Sequence, residues 1–146
     1  MLGRKTYTPD EIKAARTAVD QQISAYRSIA AAAAGHRDAT TTLRSFESAY
    51  FNIMVLVLDR YFVHRVRLVS GKDFNPLNEV ELIADSLIGN DGVFTAGTVI
   101  KFVPGASVVP LEVDSRIQLT AEQFRSLADA FFAELERRFG DTAAAE

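Results

Sequence analysis

The run Ala49-Tyr50-Phe51-Asn52-Ile53-Met54-Val55-Leu56-Val57-Leu58-Asp59-Arg60-Tyr61-Phe62-Val63-His64 decides how this chain folds. At 100° per residue, Leu43, Phe46, Tyr50, Ile53, Val57, Tyr61, His64 and Leu68 fall within about 60° of one line, which predicts an amphipathic helix capped by Asp38. The opposite side is apolar as well, because Phe51, Val55, Leu58 and Phe62 fill it. A helix that is apolar all round is either central to a core or buried in a subunit interface. We read the line through Phe46, Ile53 and Val57 as the side facing the core. The β-branched residues Val63, Val66 and Val69 leave a strand reading open for 62–69. Asn52 and Asp59 lie on one face of this otherwise apolar helix, so they need partners from a neighbouring backbone or Arg, or they line a cavity.

Upstream, Thr8-Pro9-Asp10-Glu11 carries the capping-box pattern, with Tyr7 and Ile12 placed as a hydrophobic staple. Ile12, Ala15, Val19, Ile23, Tyr26 and Ile29 then recur at three and four residues until Gly35, predicting a helix over 9–34. Downstream, Asn75-Pro76 opens a short helix through Leu77, Val80, Ile83, Leu87 and Ile88 to Gly89. From Asn90 the pattern changes to Gly, Pro and β-branched residues. This predicts short strands at 99–103, 107–113 and 116–119, with Pro110 confining the middle one to an edge or bulge. Thr120-Ala121-Glu122-Gln123 repeats the capping box ahead of Phe124, Leu127, Phe131, Leu135 and Phe139, and Gly140 stops that helix. Phe124 and Phe131 read as core, which leaves Phe132 for a partner.

These pieces predict a mainly α, single-domain bundle of three to four helices over 1–146, with a small β-hairpin between the third and last helices and flexible ends at 1–7 and 141–146. A 16.0 kDa chain with 48% hydrophobic and 24% charged residues buries a sizeable core without staples. The chain has no cysteine, which excludes disulfides, thiolate nucleophiles and cysteine-held metal clusters. A net charge of -3 repels nucleic acid and anionic membranes. No apolar run reaches the roughly 18 residues that span a bilayer, and the start Met1-Leu2-Gly3-Arg4-Lys5 leads into no apolar stretch of a secretory signal. Cytoplasmic residence is the expectation.

Catalytic motifs are missing. Gly71-Lys72 is followed by Asp73, and Val66 stands where a phosphate-cradling loop needs its first glycine. Neither a dinucleotide glycine fingerprint nor a nucleophile elbow occurs. The residues three before His36 and His64 are Ala33 and Tyr61, so the Glu-x-x-His pairs of di-iron bundles are absent. With two histidines in the chain, a metal site would lean on carboxylates and favour hard ions, and neither a metal nor a cofactor is expected.

The most polar constellation lies at residues 60–78. Arg60, Arg65, Arg67 and Lys72 are permanent cations, His64 stands among them, and no acid intervenes. Beside them begins the helix at Asn75-Pro76, whose free N–H groups and positive dipole end suit an anion. In one reading the cations neutralise a small anionic ligand, Asn75 and Asn78 orient it, and His64 moves a proton. In the other, which is commoner for charge clusters outside a motif, the cations complement the helix end and pair with Asp73, Glu79 and Glu81, while His64 is a buried, hydrogen-bonded side chain. Tyr50 and Tyr61 likewise either donate into a pocket or serve as core with a polar tip. The leading expectation is a non-catalytic protein that self-associates as a homodimer through the second helix, with the last helix as a further candidate surface. The alternative is the anionic-ligand binder or enzyme. Nucleic-acid binding ranks last, because the basic run lacks interleaved aromatics.

Overall fold

The computed structural model describes residues 7–63 and 70–140, and they form a mainly helical protein. Helix α1 spans Pro9–Ala33: the Thr8 hydroxyl accepts from the Glu11 N–H at 3.1 Å, Pro9 occupies a position that needs no N–H, and Gly35 leaves with φ at +86°. Its buried face is the predicted stripe, Ile12, Ala15, Val19, Ile23 and Tyr26. Tyr7, assigned from the sequence to a flexible end, is 2% exposed and meets Phe139 edge to face. The remaining residues of the two ends, 1–6 and 141–146, lie outside the described residues.

Helix α2 spans Arg37–Leu58 and runs on into one π-helical turn, Asp59–Val63. Its cap position is taken by His36, which makes no side-chain bond to the helix start, so Asp38 is not the cap. Asp38 sits inside the first turn, where its charge complements the dipole. The Thr40 hydroxyl instead reaches the Ala33 carbonyl at 3.0 Å and ties the α1–α2 turn together. The strand reading of 62–69 fails for Phe62 and Val63, which belong to the π-helical turn, and 64–69 lie outside the described residues.

Helix α3 spans Pro76–Gly89 and helix α4 spans Ala121–Leu135, the latter extended by a second π-helical turn, Glu136–Gly140. Both start with a complete capping box, Asn75 with Asn78 and Thr120 with Gln123. Helices α2 and α4 each pack on all three other helices, but α4 is the more deeply buried, with Phe124, Leu127, Phe131 and Leu135 fully enclosed. Phe132, expected to be left for a partner, is also buried: it meets Phe131 edge to face, and the Arg16 guanidinium lies 5.7 Å from its ring centroid.

The predicted β-hairpin does not form. Among the described residues there is no strand, only an isolated antiparallel bridge between Val93 and Arg116. The physical reason is that, beyond the few backbone bonds around this bridge, side chains take the groups that a ladder between α3 and α4 would use. The buried Glu79 carboxylate takes the N–H groups of Val108 and Val109, Pro104 begins a 3₁₀ turn through Ala106, and Pro110 has no N–H to offer a ladder. The Asn52 side chain brackets the extended stretch 117–119 like a strand partner, donating to the Ile117 carbonyl at 2.9 Å and accepting from the Leu119 N–H at 3.2 Å. The Ser86 hydroxyl accepts from the Thr95 N–H at 3.0 Å, and a Glu47 carboxylate oxygen accepts the otherwise unpaired Ala121 N–H at the start of α4 at 2.9 Å.

Candidate functional site

Helix α2 has two apolar sides, and the structure assigns them opposite to expectation. Phe51, Met54, Val55 and Leu58 form the buried side: Phe51 touches Tyr26 and Phe124, and Asn52 at its margin grips 117–119. On the line read as core-facing, Phe46 and Ile53 point outward, 48% and 58% exposed, while Leu43, Tyr50 and Val57 are half-buried at the edge of the core. The inversion follows from polar neighbours. Asn52, beside the Phe51–Val55 side, has backbone of the 90–120 segment to satisfy and turns that side inward, which leaves Phe46 and Ile53 on the outside.

The outward face is a continuous apolar stripe. Phe46 and Tyr50 stack with ring centroids 5.2 Å apart, and the Tyr50 hydroxyl donates to Gln22 of α1. Toward the C-terminal end, Ile53, Leu56, Val57, Arg60 and Tyr61 line a shallow apolar groove of 260 Å³. Arg60 is the one charge in the groove lining and has no ion-pair partner among the described residues.

The described residues of the alternative, anionic site divide between two hollows and a helix cap. His64, Arg65 and Arg67 lie outside the described residues. Arg60 lines the α2 groove, whereas Lys72 lines a separate hollow of 340 Å³ together with Glu81, Asp85 and Gly97 to Ile100. Asn75 and Asn78 are spent on their own backbone. Asn75 Oδ1 accepts from the N–H groups of Leu77 at 2.9 Å and Asn78 at 3.2 Å, and its amide donates to the Ser70 carbonyl and to Asp73. Asn78 is fully buried; its Oδ1 accepts from the Phe74 N–H at 3.0 Å and its amide donates to the Gly71 carbonyl at 2.9 Å. The Asp73 carboxyl is held below its ordinary value chiefly by the bond from Asn75, with Arg138 and Arg137 adding attraction.

Glu79 is the residue that the sequence reading placed wrongly, as an ion-pair partner. It is 1% exposed, and its bonds come from neutral donors: Val108 N–H at 2.8 Å, Val109 N–H at 3.0 Å and the Ser107 hydroxyl at 3.3 Å. Burial pushes its carboxyl above the ordinary value, against the opposing pull of those three bonds. The signal available in the sequence was its spacing, seven residues before the buried Ser86 and one before Val80, on the inner face of α3. Phe94, Pro104, Leu111, Arg116 and Ile117, with Ser107 to Val109, help to line a hollow of 640 Å³. Among the described residues no three His, Asp or Glu side chains converge as a metal site would require, and no helix there is long and apolar enough to cross a membrane.

No known family, curated protein or solved structure matches the chain, so the functional argument stands on these residues alone.

Proposed function

We propose that this chain is a non-catalytic, cytoplasmic helical protein that self-associates as a two-fold dimer through the outward face of α2. The observation that supports the reading is that Phe46, Ile53 and Tyr61 on one line of α2 and its π-helical turn stay exposed after the opposite side of the same helix has filled the core. A contiguous apolar face of this kind marks an interaction surface, and closed two-fold pairing is the commonest way for a chain to cover its own. The last helix drops out as a second surface because Phe132 is buried. The cytoplasmic part of the proposal draws on a cysteine-free composition suited to a reducing compartment.

Solution mass measured over a dilution series tests the reading, with Ile53→Glu as the variant. The wild type is expected at dimer mass, and Ile53→Glu at monomer mass with unchanged helical circular dichroism, because Ile53 contributes nothing to the core. A wild-type chain that stays monomeric throughout the series overturns the proposal.

A further inference from the structure

Resting on that reading, the geometry points to an antiparallel α2–α2 pairing centred on Ile53, in which we infer that Arg60 of each copy lies over the stacked Phe46–Tyr50 rings of the other. Three observations carry it. The outward stripe runs from Phe46 to Tyr61 on α2 and its π-helical turn, and Ile53 stands near its midpoint, so a two-fold axis there overlaps the most apolar surface with itself. Phe46 and Arg60 are each seven residues from Ile53, two turns to either side, and so both fall on its face. An axis at Ile53 therefore brings Arg60 of one copy opposite Phe46 of the other.

Charge then decides the direction. Arg60 is the one charged residue lining the groove and no acid lines it. Parallel pairing sets the two Arg60 side chains against each other inside an apolar contact, which is repulsive and costs desolvation. Antiparallel pairing moves them to opposite ends of the contact, roughly 21 Å apart at 1.5 Å of rise per residue, and lays each guanidinium on the electron-rich face of an aromatic pair. The surface supplies such a face, because Phe46 and Tyr50 are 15° from parallel and Phe46 is 48% exposed. Opposed helix dipoles favour the same direction.

The chain has no cysteine, so single Cys substitutions report position without background. With a short bis-maleimide, Ile53→Cys is expected to form a covalent dimer, Phe46→Cys and Arg60→Cys each alone to stay single chains, and an exchanged mixture of those two to cross-link. In the uncrosslinked protein, Arg60→Ala is expected to raise the dimer dissociation constant about five- to thirty-fold while Arg60→Lys stays closer to the wild type. A wild-type dimer in which Arg60→Cys links to itself, or in which the mixture and Ile53→Cys both fail to link, overturns the antiparallel register and leaves self-association standing. Monomer mass for the wild type overturns both.

Discussion

Glu79 Oε2 accepts from the Val109 N–H at 3.0 Å, inside the protein and thirty residues away along the chain, where a neighbouring strand would otherwise supply the acceptor. The same carboxylate takes the Val108 N–H at 2.8 Å. One side chain of α3 thus stands in for a sheet. Truncation to Glu79→Ala leaves two N–H groups without partners, one of them in a fully buried residue, and is expected to cost about 2–4 kcal/mol. Urea denaturation measures the loss, and faster amide exchange at Val108 and Val109 locates it.

The burial of the same carboxyl sets a pH dependence. Burial raises the Glu79 carboxyl above the ordinary value of 4.5, so between that value and the raised one the folded state binds a proton that the unfolded state has released. The resulting stabilisation is complete below pH 4.5 and fades as pH rises through the folded value. Glu79→Gln does not ionise, so the stability difference between wild type and Glu79→Gln is expected to shift in favour of the wild type as pH falls from 7 toward 4.5. Denaturant midpoints of both proteins at several pH values check this, and a difference that is flat with pH contradicts it.

The helices were legible in the sequence because their ends and periods are local. Thr8, Asn75 and Thr120 cap where their side chains find the helix N–H groups, and α1 buries the stripe that its spacing marks. What was not legible depends on contacts far apart in the chain. Residues 99–113 have strand-like composition, yet Glu79 and two prolines satisfy or remove the donors a ladder needs. Periodicity gave α2 two apolar sides with no means of choosing between them. The choice is made by Asn52 bonding Ile117 and Leu119, sixty-five and more residues later.

That choice makes a comparison within α2 decisive. Phe51 is fully buried between Tyr26 and Phe124, so Phe51→Ala is expected to destabilise the chain by about 3–5 kcal/mol. Ile53, two positions on, is 58% exposed, and Ile53→Ala is expected to change the stability of the monomer by less than about 0.5 kcal/mol. Denaturation at a concentration low enough to dissociate dimers separates the two, and equal losses contradict the assignment of the faces.

Asn52 tests what holds the 117–119 stretch against α2. Asn52→Ala removes both the acceptor of the Leu119 N–H and the donor to the Ile117 carbonyl, with an expected loss of about 1–3 kcal/mol and faster exchange of the Leu119 amide. Asn52→Asp keeps the acceptor but brings a carboxylate against the Ile117 carbonyl, so it is expected to fall between wild type and alanine at acidic pH and to lose ground as the carboxyl ionises.

Asn78 separates a structural cap from an anion site. Its Oδ1 bonds the N–H of Phe74, a residue held at φ +64°, where a bulky side chain is strained by about 1–3 kcal/mol, and its amide bonds the Gly71 carbonyl. Removing these bonds in Asn78→Ala frees a strained turn as well as a helix cap. The melting temperature is expected to drop by several degrees, consistent with about 1–2 kcal/mol, and to drop equally with and without added phosphate. Thermal melts of wild type and Asn78→Ala across a phosphate titration measure it. A phosphate-dependent rise in the wild type that Asn78→Ala abolishes would give the asparagine a ligand instead of its own backbone.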